Sequence, residues 1–168
     1  MLTGGELNGG ERSGAELREL VLSELRRRLS DLPVYVKAVL LFGSVARGEA
    51  GERSDVDLLV LHSGAPFSDP VERRRHLYKL VVERLEGVFE SVTLIDMELE
   101  RFLKPGTVTP FLLNVYADAV VVADKVGGVE EFLQRVRRRM RELGLTRVKD
   151  GRAYYWVLPK PMEKVELL

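Results

Sequence analysis

The 168 residues predict an α/β fold, a central sheet covered by helices with an appendage at the C-terminal end. Three observations carry this. Val34 to Phe42 closes on Val39-Leu40-Leu41-Phe42, apolar on both faces, as a strand beneath covering helices should be. Further strand-like runs, Asp55 to His62, Ser91 to Ile95 and Ala119 to Ala123, alternate with stretches whose apolar residues recur at helical spacing. Apolar content of 45% beside 31% charge suits a folded domain, and the length is enough for a real core.

Each element has a local cause. Residues 1–12 are glycine-rich with little apolar surface and are expected to be a flexible tail. Ser13 with Glu16 forms a capping-box pattern, and Leu17, Leu20, Val21, Leu25 and Leu29 continue a helix to about Ser30, before Pro33. After the strand 34–42, Gly43-Ser44 opens a short helix expected to stop near Gly48, and the polar stretch Glu49 to Ser54 reads as a loop. Asp69-Pro70 with Glu72 behind starts another helix, by an N-cap, a proline at N1 and an acid at N3. Leu77, Tyr78, Val81, Leu85 and Val88 should face inward from it, with an end near Gly87. Strand 91–95 leads to a short helix, Met97 to Leu103, closed by Pro105-Gly106, and Thr109-Pro110 opens the next. Gly127-Gly128 precedes a long helix striped with Val129, Phe132, Leu133, Val136, Met140 and Leu143. Thr146 to Lys149 and Arg152 to Leu158 flank Asp150-Gly151, a type I′ hairpin pattern, and Pro159 and Pro161 punctuate the remainder. The expected division is therefore a tail at 1–12, a domain at 13–127 and an extension at 128–168 packed on that domain.

Composition excludes several classes of chemistry. Without cysteine there are no disulfides, no thiolate-bound zinc and no thiol catalysis, which is compatible with a cytoplasmic site. Two histidines, His62 and His76, make a histidine-built metal centre improbable; His62 reads as structural or exposed. A formal charge of zero argues against a duplex-binding protein that relies on a basic field. No apolar run approaches the ~18 residues of a membrane span, and no leader pattern starts the chain. Only seven of 26 basic residues are Lys, and the charges crowd the helices, a composition that leans toward a thermophile.

Chemistry concentrates in Gly43-Ser44-Val45-Ala46-Arg47-Gly48 and Ser54-Asp55-Val56-Asp57-Leu58-Leu59-Val60. Alternation along a strand puts Asp55 and Asp57 on one face and Val56, Leu58 and Val60 on the other. Two adjacent carboxylates repel, resist burial, and call for a cation; hard oxygen ligands suit Mg²⁺. A Gly-Ser turn opening a helix offers backbone N–H groups and a hydroxyl to phosphate oxygens. Together these are the equipment of phosphoryl or nucleotidyl transfer. Singly, each has a plainer role: an N-cap after a strand, a solvated strand entrance, a surface arginine. Their joint spacing carries the functional meaning.

The string at 43–60 resembles the signature of the nucleotidyltransferase superfamily that includes DNA polymerase beta, poly(A) polymerases and kanamycin nucleotidyltransferase. Size and order of elements are most similar to the stand-alone minimal nucleotidyltransferases, over roughly 16–125. The resemblance implies a mixed sheet flanked by helices with a nucleotide cleft at its lip. It also implies Mg²⁺ (or Mn²⁺) held by Asp55 and Asp57, in a two-metal scheme of in-line displacement. Gly43 and Ser44 would bind the outer phosphates of the nucleoside triphosphate, and Arg47 would offset charge on the pyrophosphate leaving group. The implied reaction transfers a nucleoside monophosphate, AMP from ATP, to a hydroxyl acceptor. Some members instead act as antitoxins to a small helical partner, the HEPN protein, by modifying or binding it; a third option is a nucleotide-binding module without turnover.

One departure bears on activity. Active members generally carry a third carboxylate on a neighbouring strand, and the matching segment Val92-Thr93-Leu94-Ile95 offers Thr93 there. Threonine cannot do general-base work. Asp96 is the nearest substitute, but would face the other side of a regular strand and reads more simply as the N-cap of helix 97–103; Glu90 and Glu98 are weaker still. The arginine runs at 73–75 and around 135–141 read as solvated helix faces, so nucleic acid is not an expected partner. Tyr154, Tyr155 and Trp156 read as packing residues of the hairpin. That hairpin has three open roles: closing the sheet edge, covering the nucleotide, or forming a dimer seam.

Overall fold

The computed structural model describes residues 13–51, 54–160 and 165–168, so the expected tail at 1–12, Glu52-Arg53 of the polar loop and Pro161 lie outside the described residues. Strands β1 (Val36–Phe42), β2 (Val56–His62), β3 (Val92–Glu98) and β4 (Val120–Asp124) form one sheet in the order β3-β2-β1-β4. β1 pairs antiparallel with β2 and β4, and β2 runs parallel to β3, so the sheet is mixed. Period-two alternation sends each strand's side chains into two separate cores. Val39, Leu41, Val56, Leu58 and Val60 pack under helices α1 (Gly14–Arg28) and α3 (Pro70–Leu85). Leu40, Leu59 and Leu61 pack on the other face with α4 (Leu99–Leu103), α5 (Pro110–Asp118) and α6 (Val129–Glu142). A register shift between Val36 and Ala38 switches Val36 to the first core and Ala38 to the second.

Helix starts follow the caps read from the sequence. Ser13 and Glu16 close a reciprocal capping box, and the Asp69 carboxylate accepts from the N–H groups of Val71 and Glu72. The Thr109 hydroxyl accepts from Leu112. At α6 the cap comes from the preceding strand: Asp124 accepts from the amides of Val126, Gly127 and Val129.

Several expectations are corrected. Tyr78 is not inward; it is 46% exposed, on the solvent side of α3. α3 ends at Leu85, and Val88 is buried from the turn beyond it. β3 runs three residues past Ile95, held by ladder pairs of Asp96, Met97 and Glu98 with Val60, Leu61 and His62. The short helix therefore starts at Leu99 rather than Met97, its N-cap position is Glu98, and Asp96 is not a cap. His62 is completely buried. In the two-stranded sheet of β5 (Thr146–Asp150) and β6 (Ala153–Val157), Asp150 pairs with Ala153, so the loop is Gly151-Arg152, one residue later than the pattern suggests. Gly151 takes the positive φ of 60° that this loop requires.

Candidate active site

β1 ends at Phe42 and the chain turns at once into α2 (Gly43–Ala46), a single turn of helix. Phe42 pairs with Asp57 across the β1–β2 ladder, which brings the turn beside the carboxylate pair. Gly43 has φ +75°, and a Cβ there would lie 2.1 Å from Asp57 Oδ2. A side chain at 43 is thus disfavoured twice, by conformation and by space. The turn and the Asp57 carboxylate are in direct apposition.

Asp57 lies on the sheet face that carries Leu59 and Leu61, and Asp55 precedes the strand, exposed. Burial pushes the Asp57 carboxyl up, and the neighbouring Asp55 charge pushes it the same way. A hydrogen bond from Thr93 and the positive charge of Arg47 act in the opposite sense without overcoming that rise. Thr93, opposite Asp57 in the parallel ladder, therefore serves as a hydrogen-bond donor in the position where a third acid was sought.

Among the described residues there is no group of three or more acidic or histidine side chains able to hold a metal by themselves. The residues present still fit Mg²⁺, which is commonly held by one or two carboxylates with substrate phosphates and water completing the shell. A carboxylate whose ionisation is opposed by its neighbour is the observation favouring a cation there.

Asp96 is removed from the site. It is three residues from Thr93 and faces the α1–α3 layer, where Arg73 Nε and Arg74 Nε donate to its two oxygens at 3.0 and 3.1 Å. Burial alone would push its carboxyl up, but those two hydrogen bonds outweigh it and hold the group below the usual carboxylate range. His62 Nε2 lies 3.3 Å from the same carboxylate. The arginine run at 73–75 is thus partly spent on an internal acid, and Arg137 on α6 likewise donates to the carbonyls of Tyr116 and Ala119.

Arg47 follows α2, and its guanidinium is held sideways. Nε donates to Glu49 at 3.1 Å, Nη1 lies 3.5 Å from Asp118, and the group sits 4.7 Å from the Tyr154 ring centre. Asp118 is gripped far more tightly by Arg147, bidentate at 2.6 and 2.9 Å. The hairpin packs against the ends of α2 and α5 through Arg147, through Tyr154, whose hydroxyl donates to Glu49 at 2.5 Å, and through Trp156, which donates to Asn114 at 3.0 Å. Sequence reading left Glu49 in a solvated loop and did not single out Asp118 or Arg147. Partners 29 to 105 residues away leave no local signal.

Residues 22–135 match the model of the nucleotidyltransferase domain, and this chain belongs to that family; it is a nucleotidyltransferase. It is similar to a Methanocaldococcus jannaschii protein provisionally named a protein adenylyltransferase, with 29% identity over 100 residues, 60% of this chain and 67% of that protein. A crystal structure of a provisionally named nucleotidyltransferase from Sulfolobus solfataricus is 21% identical, covering 71% of this chain and 94% of that one, with a TM-score of 0.42. A chain in the complex of a tri-AMPylated Shewanella oneidensis HEPN toxin with its MNT antitoxin is 17% identical over 77% of this chain and 93% of its own, with a TM-score of 0.35. No helix among the described residues is long and apolar enough to cross a membrane.

Proposed function

We propose that this protein transfers AMP from ATP to a hydroxyl acceptor and releases pyrophosphate. The observation that carries this is the apposition of Gly43 and Asp57, a glycine turn with no room for a side chain pressed on a strand-borne carboxylate. Asp55 and Asp57 would hold Mg²⁺, which when bound neutralises phosphate charge and activates the attacking oxygen. Gly43 and Ser44 receive the outer phosphates with a backbone N–H and a hydroxyl. Arg47 supplies fixed positive charge toward the leaving pyrophosphate. The acceptor oxygen bonds to the α-phosphorus, the bond from that phosphorus to the bridging oxygen breaks, and pyrophosphate departs; the acceptor's proton passes to solvent or to the aspartate pair.

A protein hydroxyl is the acceptor class we favour, supported by the name of the Methanocaldococcus relative. Incubation with ATP labelled at the α-phosphate, Mg²⁺ and candidate acceptors should give labelled acceptor, and Asp55→Asn or Asp57→Asn should reduce transfer by at least about 100-fold, in line with loss of an electrostatic catalytic group. Transfer that persists in both variants would refute these roles.

Thr93 in place of an acid supports a second reading, a protein that binds a small helical HEPN-type partner with weak or no turnover. Co-purification with such a partner, unchanged by Asp57→Asn, would favour it; label transfer that depends on Asp57 would decide against it.

A further inference from the structure

Among the described residues, Arg47 is the cation beside the turn that acts on Asp57, yet its guanidinium lies against two carboxylates. Those carboxylates compete with a triphosphate for it. The partners of each carboxylate decide how strongly they compete. Asp118 is satisfied by two short bonds from Arg147, so its 3.5 Å approach to Arg47 is a weak residual attraction. Glu49 accepts from Tyr154 at 2.5 Å and lies 3.6 Å from Lys149. If Arg47 departed, neither carboxylate would be left without a partner. The hairpin therefore supplies the replacement partners: Arg147, Lys149 and Tyr154 all belong to it, beyond the 22–135 stretch that matches the family. A cavity of about 510 Å³ is bordered by Arg47, Glu49, Asp118 and Arg147, so the guanidinium is not packed in on every side.

We propose that Arg147 and Tyr154 are positioning residues that saturate Asp118 and Glu49 and so keep Arg47 available to the outer phosphates of the nucleotide, making the C-terminal hairpin a determinant of triphosphate affinity. This rests on the nucleotide-binding reading above. Removing a competitor should tighten binding, whereas removing a saturating partner should weaken it. A purely structural role would give no such opposite signs.

The full chain is titrated calorimetrically with ATP and with AMP in Mg²⁺. Glu49→Gln should bind ATP on the order of two- to fivefold more tightly, and Arg147→Gln and Tyr154→Phe more weakly by a similar factor, the range of a partly exposed ion pair. AMP, which lacks the outer phosphates, should respond to none of them. In an Arg47→Gln background all three effects should vanish. Fluorescence of Trp156, the single tryptophan, reports hairpin docking; if Arg147→Gln alters it, Glu49→Gln and Tyr154→Phe decide. ATP affinity unchanged or lowered in Glu49→Gln overturns the positioning role while leaving nucleotide binding intact. Wild-type protein that does not bind ATP at all overturns the proposed function and this inference with it.

Discussion

Asp57 is held in surroundings that oppose its charge. Its carboxyl is raised because burial and Asp55 both oppose its charge, more than Thr93 and Arg47 favour it. The native state therefore binds the proton more tightly than the unfolded chain does, so the stability it contributes is present below the ordinary value and lost as pH rises through the raised one. At neutral pH, Asp57→Asn should raise the melting temperature while abolishing transfer, and the gain should disappear in acid, where both side chains are neutral. Thermal unfolding of the two proteins across pH checks this; a lower melting temperature for the variant at neutral pH would contradict it. Added Mg²⁺ with ATP should stabilise the wild type by mass action and the variant far less. Gly43 sets the other half of the site. Any substituent there meets Asp57 Oδ2 and carries a positive φ, so Gly43→Ala should lose nucleotide binding without exposing the core.

Among the elements, β3 shows how tertiary pairing overrides local signals. Ile95-Asp96-Met97 reads as a strand end and a helix cap, because Asp is a common cap and a poor strand residue. Seven consecutive pairs with β2 carry the strand to Glu98 instead, and Arg73 and Arg74 from α3 make a buried aspartate tolerable. The ion cluster fastens α3 to the sheet edge. Asp96→Ala would remove the carboxylate to which Arg73 and Arg74 donate. A cost of about 2 kcal/mol is expected, below that of a fully buried pair because Arg74 is largely exposed. Since the Asp96 carboxyl is lowered in the fold, its contribution is present above about 3.8, the ordinary value, and is lost as pH falls through the depressed one. Denaturant midpoints of wild type and Asp96→Asn should differ at pH 7 and converge in acid. The hairpin tells the same story of distant partners: Tyr154 reads as hairpin packing and Arg147 carries no signal of its own until Glu49 and Asp118 are brought to them.

Across the whole molecule, a four-stranded sheet separates two cores, and the candidate site lies at one end of its two central strands, where β1 ends and β2 begins. Leu59 is completely buried in the α4–α5–α6 core, two residues from Asp57 on the same face. Leu59→Ala should cost about 2–5 kcal/mol in unfolding free energy and weaken nucleotide binding as well, because the carboxylate loses its backing. An equal truncation at Leu77 of α3, in the opposite core, should cost similar stability with binding retained in the molecules that remain folded. Comparing denaturation with calorimetric affinity for the pair separates support of the site from support of the fold.

Local rules governed what could be read in advance. Caps at Ser13, Asp69 and Thr109, the doubly apolar strand β1, the amphipathic α6 and the Gly-Ser to Asp-x-Asp spacing each depend on residues within about a dozen positions of one another, so they are written in the chain itself. The length of β3, the fate of Asp96, the burial of His62 and the carboxylate company kept by Arg47 depend on which segments the sheet and hairpin bring together. Charged side chains take their meaning from partners, and here the partners are supplied from tens of residues away by folding alone.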